Sequence, residues 1–307
     1  MFIIQPKIIK TLIQILTSEV KDLVKCLTEC LKHTKTARFS MIVAILGTGR
    51  IGEAMAKRLN ASKDITKIIL TKRNTSTIQH MKSEKIEISH DNSYASRVAD
   101  IIIISVKAGD SKQLFEQISP FVLNKIVISL MAAVSLERLE KALNKAKVVR
   151  AMPNIAAIIG ESITPYSNGK NVTSADTAKI KLILGMIGEC FEVPEQYMDA
   201  ITALSGSGPA YIAILIEALV TAGLKVGLPR DIAMKLAIKT LSGTANLLNQ
   251  TKLHPAELRD TVTTPAGTTI AGIYELERGA FRTSVINAIE AATLAAEKIA
   301  KKIQNDP

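Results

Sequence analysis

A glycine-rich motif over residues 47–52 has the composition and spacing of a loop that binds phosphate. It reads Gly-Thr-Gly-Arg-Ile-Gly and stands between an apolar run at 42–46 and a helical pattern at 53–59. In such a strand–loop–helix unit, the first glycine permits a tight turn, the second lets the backbone approach a pyrophosphate, and the third lets helix pack on strand. The helix N-terminus adds free N–H groups. The motif predicts a dinucleotide site, and the alternative is a purely structural turn.

Two cations follow the second predicted strand, which covers residues 67–71. A unit that binds NAD usually has Asp or Glu near this point, where the acid binds the ribose 2′-hydroxyl. Here the sequence is Lys72-Arg73-Asn74, and cations can pair with the 2′-phosphate that distinguishes NADP. We therefore predict NADPH as the cofactor and keep NADH as an alternative. The competing interpretation is an ordinary solvated loop.

A segment at 254–270 is rich in hydroxyl groups and has Pro and Gly at its turn. Four threonines lie within seven residues, namely Thr263, Thr264, Thr268 and Thr269. N–H and O–H donors at the start of a helix suit an anion such as a carboxylate. We predict an anion site here, and simple helix capping is the alternative. His254 is expected to cap or position a helix, with a role as catalytic acid as the alternative.

The predicted elements bring many of these residues to one edge of a sheet. Continuous apolar runs at 101–106, 126–130 and 147–150 alternate with helical patterns, which is typical of a parallel sheet covered on both faces. Ligands bind at the carboxyl ends of such strands. The residues expected along that edge are Thr48, Lys72, Asn92, Val106, Lys107 and Asn154. The fold class predicted for residues 41–200 is α/β, a Rossmann-type doubly wound parallel sheet.

The chain over 201–307 is predicted to be an all-helical dimerisation and substrate domain. Residues 211–220 are apolar on nearly every side of a helix, apart from Glu217. Such a helix is buried on all sides, and this one is shorter than the ~20 residues of a membrane span. A helix–helix seam is expected at Val285, Ile289, Ala292, Ala296, Ile299 and Ile303. We predict a homodimer, with packing inside one subunit as the alternative.

The remaining features limit the class of protein. Residues 1–40 form a predicted helical N-terminal extension, which is either a docking or membrane-surface helix or, as we favour, a dispensable segment before Met41. The net charge is +11, but the lysines are scattered and only 4% of residues are aromatic, so no nucleic acid is expected. Cys26, Cys30 and Cys190 complete no disulfide framework or metal site. We expect a cytoplasmic protein with no metal and no membrane partner.

Several motifs together resemble the pyrroline-5-carboxylate reductase family. They are Val106-Lys107, Val-Arg-Ala-Met-Pro-Asn at 149–154, Ala-Leu-Ser-Gly-Ser-Gly-Pro-Ala-Tyr at 203–211, Gly-Leu-Pro-Arg at 227–230, and the segment 254–270. The resemblance implies hydride transfer from NAD(P)H to the C=N carbon of 1-pyrroline-5-carboxylate, giving proline in the last step of its biosynthesis. It also implies dimers with interwoven C-terminal helices, often in a ring of dimers. The alternatives are a related NADP-dependent oxidoreductase for another cyclic imine or a β-hydroxy acid, and a catalytically silent dinucleotide-binding protein.

The resemblance also implies the residues of the site. The expected cofactor-binding residues are Gly47, Thr48, Gly49, Arg50, Ile51, Gly52, Lys72, Arg73, Asn92, Val106, Lys107 and Asn154. The substrate carboxylate is expected at Thr264, Gly267, Thr268 and Thr269. The expected catalytic residues are Thr269 and Thr264, and the Thr269 hydroxyl would hydrogen-bond the ring nitrogen or orient a water molecule to it.

Four positions depart from the pattern of that family. Ala108 follows Lys107 where the family usually has proline, and Ile155-Ala156 follow Asn154 where it has Thr-Pro. Residues 131–134 lack the usual glycine, and Ala266 replaces the first glycine of Pro-Gly-Gly. These changes flank the predicted cofactor and substrate sites and leave a mechanism based on backbone donors intact.

Overall fold

The structure is a computed structural model that describes residues 40–304, so the predicted N-terminal extension (except Ser40), Cys26 and Cys30 lie outside the described residues. The strands are β1 (Met41–Leu46), β2 (Ile65–Thr71), β3 (Ile86–Ser89), β4 (Ile101–Ile104), β5 (Ile126–Ser129), β6 (Lys147–Ala151), β7 (Ser162–Asn168) and β8 (Gly188–Glu192). The helices beside the sheet are α1 (Arg50–Asn60), α2 (Asn92–Val98), α3 (Ser111–Ile118), α4 (Leu136–Ala142) and α5 (Ser174–Gly185). The helices that follow are α6 (Met198–Ile201), α7 (Gly208–Lys225), α8 (Arg230–Thr251), α9 (Pro255–Thr261), α10 (Thr268–Arg278) and α11 (Phe281–Gln304).

The strands of the described chain form one sheet in the order β3-β2-β1-β4-β5-β6-β7-β8. The strands from β3 to β6 all pair in parallel, so their carboxyl ends share one edge. All four isoleucines of β4 are buried, which accounts for the continuous apolar run in the sequence. The predicted Rossmann-type sheet followed by a helical region is therefore confirmed.

One strand departs from the predicted parallel arrangement, since β7 runs antiparallel to β6. Residues 152–161 join these two strands through a single 3₁₀ turn at Ile155–Ile159. A crossover between parallel strands needs a dozen or more residues and usually a helix, so this connection is too short for one. β8, which the sequence analysis did not identify, then pairs in parallel with β7.

A buried charge network ties the end of β6 to the start of the helical region. Arg150 is only 3% exposed, and its Nη1 and Nη2 atoms lie 2.7 Å from Glu195 and 2.8 Å from Asp199. The same Glu195 oxygen accepts a hydrogen bond from the Leu136 backbone N–H at 3.0 Å. Hydrogen bonds between charged groups are stronger and more directional than neutral ones. The network thus fixes α6, and the π-helical turn Thr202–Gly206 after it, against the sheet.

The helical region leaves a large apolar surface uncovered within one chain. Val220 is the only residue of α7 that is buried, whereas Ile212 is 48% and Ile214 is 64% exposed. In the described residues, Glu195–Lys225 is also the one helical run long and apolar enough to cross a membrane by length and composition. The predicted seam of α11 is half-buried or exposed as well, with Val285 47% exposed. An exposed apolar patch of this extent indicates an interface.

Candidate active site

A cleft of about 570 Å³ lies at the carboxyl ends of the strands, where the sequence predicts the dinucleotide. Seven predicted cofactor residues line it, namely Gly47, Thr48, Gly49, Lys72, Arg73, Asn92 and Val106. Seven polar residues outside the predicted set also line it, namely Thr71, Asn74, His90, Ser105, Asp110, Gln113 and Gln117. The signal that could have found Gln113 and Gln117 is their spacing of four on the helix that follows β4.

The glycine turn is held between β2 and β4. The backbone N–H groups of Gly47 and Thr48 both donate to the carbonyl oxygen of Thr71, at 3.1 and 2.9 Å, and the buried Thr48 hydroxyl donates to it at 3.2 Å. Gly47 has a φ of +83°, and a Cβ atom there would lie 2.3 Å from Val106 Cγ1. Glycine is thus required at this position by both backbone conformation and space.

The N-terminus of α1 faces this turn with its backbone donors free of side-chain caps. Gly49 is the N-cap residue and supplies no side-chain hydrogen bond. A Cβ atom on Gly49 would meet no protein atom within 4 Å, whereas one on Gly52 would lie 3.2 Å from Ile45 Cγ2. The space beside Gly49 is therefore open to a ligand, while Gly52 lets α1 pack on β1. These are the roles that the motif predicts for its second and third glycines.

A chain of hydrogen bonds crosses the inner wall of the cleft. The Thr71 hydroxyl donates to Asn92 Oδ1 at 2.6 Å, and Asn92 Nδ2 donates to Gln117 Oε1 at 2.8 Å. These bonds connect the end of β2 to α2 and α3. The amide of Asn92, a predicted cofactor residue, is thus fixed in one orientation at the cleft.

The two predicted cations stand at the mouth of the cleft with an acid opposite them. The side chain of Arg73 is 83% exposed, and its Nη2 atom lies 2.5 Å from Oδ1 of Asp110. Asp110 ends the 3₁₀ turn Ala108–Asp110 that follows β4, so the ion pair joins the loops after β2 and β4. Lys72 lines the same cleft. The two cations therefore favour a bound anion, and the Asp110 carboxylate competes with that anion for Arg73.

Asn154 lies apart from this cleft, beside the serine-glycine motif. Its Nδ2 atom donates to the carbonyl oxygen of Ser205 at 3.3 Å, and its Oδ1 accepts from the Ala156 N–H at 3.1 Å. Asn154 and Ser205 line a second, mostly apolar hollow of about 480 Å³, together with Leu204, Pro209 and Ile212. The predicted cofactor residues that line neither cavity are Arg50, Ile51, Gly52 and Lys107.

The threonine-rich segment forms the turn between α9 and α10. The Gly267 N–H donates to the Thr264 carbonyl oxygen at 3.0 Å, and a Cβ atom on Gly267 would lie 2.2 Å from the Thr264 hydroxyl. Thr268 and Thr269 begin α10, and Gly267 is its N-cap residue without a side-chain cap. No described residue of 254–270 lines either cavity. Within one chain, this loop is largely exposed and forms no part of the lining of the cofactor cleft.

His254 is explained by its local structure. Its Nδ1 atom accepts a hydrogen bond from the Ala256 N–H at 3.2 Å, and its own N–H donates to Glu257 at 3.3 Å. This reciprocal pair caps the N-terminus of α9. Among residues 40–304, no group of three or more His, Cys, Asp or Glu side chains could hold a metal ion.

Two alanines that stand near family glycines adopt the left-handed backbone conformation. Ala133 has a φ of +63° and Ala266 a φ of +54°. This conformation costs an L-residue about 1–2 kcal/mol, because Cβ crowds the following carbonyl. The loops therefore keep a backbone that suits glycine, at some cost in stability.

Replacing the exposed Ala266 with glycine is expected to raise the free energy of unfolding by about 0.5 kcal/mol. The relief of strain exceeds the greater entropy that glycine brings to the unfolded chain. Thermal unfolding of Ala266→Gly measures the gain. The matched control is Ala178→Gly in the middle of α5, which also removes an exposed methyl group and should cost about 1 kcal/mol. If Ala266→Gly lowered the free energy of unfolding as much as Ala178→Gly does, there would be no backbone strain at Ala266.

Comparison with known proteins places this geometry in a family. The model of the pyrroline-5-carboxylate reductase dimerisation domain matches residues 195–299, and a model described as NADP oxidoreductase, coenzyme F420-dependent, matches residues 42–133. The pyrroline-5-carboxylate reductase of Synechocystis sp. is 39% identical over 266 residues, which cover 86% of this chain and 100% of that protein. The chain belongs to the pyrroline-5-carboxylate reductase family.

Other members of the pyrroline-5-carboxylate reductase family agree in sequence and fold. The enzyme of Pisum sativum is 35% identical, over 82% of this chain and 94% of its own. The crystal structure of Plasmodium falciparum pyrroline carboxylate reductase, with NADP bound, has a TM-score of 0.78 and 29% identity, over 85% of this chain and 98% of its own. The dimerisation model covers α7 together with the rest of the helical region, and the protein is therefore a homo-oligomer.

Proposed function

We propose that the protein reduces 1-pyrroline-5-carboxylate to proline with NADPH. The observation that carries this proposal is a Rossmann-type cleft with an open glycine turn and two cations at its mouth, in a chain that belongs to the reductase family over nearly its whole described length. The Plasmodium falciparum relative has NADP bound, which agrees with Lys72 and Arg73 in place of an acid. When bound, NADPH supplies the hydride for the C=N carbon of the imine.

The residues of the cleft fit the cofactor in charge and space. The open space beside Gly49 and the uncapped N-terminus of α1 suit the pyrophosphate. Lys72 and Arg73 suit the 2′-phosphate, and the fixed amide of Asn92 supplies a polar wall. Val106 also lines the cleft, whereas Lys107 and Asn154 lie outside its lining and stay proposed cofactor residues.

The substrate carboxylate is proposed to bind at the turn between α9 and α10. Uncapped N–H groups at Thr268 and Thr269 and the hydroxyls of Thr264 and Thr269 offer donors there. The loop lines neither cavity of its own chain, so we propose that it completes the cleft of the partner subunit. The Thr269 hydroxyl then hydrogen-bonds the ring nitrogen of the substrate or orients a water molecule to it. The enzyme acts mainly by positioning the two reactants, cofactor and imine.

We also propose how the subunits assemble and where the protein acts. The exposed apolar face of α7 is proposed to be buried between subunits rather than in a membrane, and the dimers are proposed to assemble further into a ring. Scattered lysines and few aromatics argue against nucleic acid as a partner. We propose the cytoplasm as the site of action.

The proposed activity is tested by following NADPH and NADH oxidation with pyrroline-5-carboxylate. Turnover with NADPH, and a higher kcat/KM for NADPH than for NADH, is expected. A β-hydroxy acid with NADP⁺ serves as the control substrate and should give no turnover. Absence of activity with both reduced cofactors would refute the proposed reaction, while equal kcat/KM for the two would refute the role of Lys72 and Arg73.

A further inference from the structure

The ion pair between Arg73 and Asp110 is a structural feature that the reaction itself does not need. Arg73 follows β2 and Asp110 precedes α3, yet their side chains meet at 2.5 Å at the mouth of the cofactor cleft. Both residues line the cleft. The side chain of Asp110 is 36% exposed and that of Arg73 83% exposed, so both remain within reach of solvent and of a ligand.

The carboxylate of Asp110 does not cap the helix that it precedes. Asp110 is the N-cap residue of α3, a position at which aspartate usually accepts a hydrogen bond from its own helix. Here its side chain makes no such bond and contacts Arg73 instead. The acid thus faces the cation that would receive a 2′-phosphate.

We propose that Asp110 is a specificity-determining residue that limits the preference of this cleft for a dinucleotide with a 2′-phosphate. A phosphate bound to the Arg73 guanidinium would lie close to the Asp110 carboxylate, and these two anions repel each other. The carboxylate also occupies a donor of the guanidinium. NADH lacks the 2′-phosphate, so its binding is penalised much less. This inference rests on the proposed use of NADPH and adds the residue that tunes it.

The decisive variant is Asp110→Asn, which keeps the size of the side chain and removes its charge. Direct binding of NADP⁺ and NAD⁺ is measured by calorimetry, so turnover is not required. Because exposed ion pairs contribute up to 1 kcal/mol, NADP⁺ affinity is expected to rise about fivefold. NAD⁺ affinity should stay the same, and the ratio of the two affinities should rise accordingly.

The matched control is Glu87→Gln, which removes an acid from another ion pair beside the same sheet. Glu87 lies 2.5 Å from Lys67 and does not line the cleft. Its loss should leave both dinucleotide affinities unchanged. A similar gain in Glu87→Gln would mean that net charge alone acts, and would overturn the assignment to Asp110.

A double variant, Asp110→Asn in the Arg73→Gln background, tests whether Asp110 acts on NADP⁺ binding through Arg73. In the Arg73→Gln background, Asp110→Asn should increase NADP⁺ affinity much less, because the shared guanidinium is absent. An unchanged or reduced ratio in Asp110→Asn, or a full increase in the Arg73→Gln background, would overturn the inference while the proposed function stands. If the wild-type protein binds neither dinucleotide, the proposed function fails and this inference fails with it.

Discussion

The variant Thr269→Val is expected to lower kcat/KM for pyrroline-5-carboxylate by about tenfold or more, because a hydrogen bond to the reacting imine or its water is lost. Valine keeps the branched shape of threonine at the second position of α10. The fold should therefore be unaffected. Steady-state kinetics with NADPH, together with thermal unfolding, measure the two effects separately.

The control for this variant is Thr177→Val in α5. The Thr177 hydroxyl donates to the Thr173 carbonyl oxygen at 3.2 Å, and Thr177 lines neither cavity. Its kcat/KM should match that of the wild type. An unchanged kcat/KM in Thr269→Val would remove Thr269 from the site.

A mixing experiment extends this prediction to the assembly. Thr269→Val chains have an intact cleft and a defective loop, whereas Gly49→Asp chains have an intact loop and a cleft that repels pyrophosphate. If the loop completes the partner's cleft, half of the dimers in a random mixture regain one active site, or about a quarter of wild-type activity in a symmetric dimer. If the loop served its own chain, mixing the two impaired variants would restore no activity beyond that of the separate variants.

The parts of the fold that local sequence determines could be predicted. The strand before Gly47, the turn and α1 follow from an apolar run, three spaced glycines and a helical pattern, all within twenty residues. The direction of β7 could not be predicted from its residues. It depends on the short connection at 152–161, which leaves no room for a crossover helix.

The site shows the same division between local and distant information. Lys72 and Arg73 are adjacent in the sequence and could be assigned to the cofactor from their place after β2. The contact of Arg73 with Asp110 joins residues 37 positions apart and depends on how two loops pack at the sheet edge. The threonine-rich turn could be recognised by composition, but its proposed place in the site requires the assembly, since it lies outside both cavities of one chain.

The first two glycines of the turn are expected to respond differently to the same change. In Gly47→Ala the new Cβ atom would lie 2.3 Å from Val106 Cγ1 and 2.9 Å from the Val106 backbone nitrogen, at a φ of +83°. Backbone atoms must then shift, and overpacking and left-handed strain add to a loss of about 3 kcal/mol in the free energy of unfolding. Thermal or urea unfolding of the free protein measures this loss.

In Gly49→Ala the new methyl group meets no protein atom within 4 Å, and the backbone conformation, with a φ of −97°, suits any residue. The stability of the free protein should therefore remain that of the wild type. The methyl group instead occupies space that the pyrophosphate needs, and weakened amide–phosphate hydrogen bonds should lower NADPH affinity by about tenfold or more.

The control for both glycine variants is Gly185→Ala at the end of α5, where a Cβ atom also meets nothing within 4 Å but which lies outside the cofactor cleft. This variant should keep its NADPH affinity and lose no stability, since alanine is favoured over glycine in a helix. Normal NADPH affinity in Gly49→Ala would show that the pyrophosphate does not approach the backbone there. Because Gly49→Ala changes only the space offered to a ligand, a loss of affinity without a loss of stability would identify the glycine turn as the point where the cofactor meets the protein.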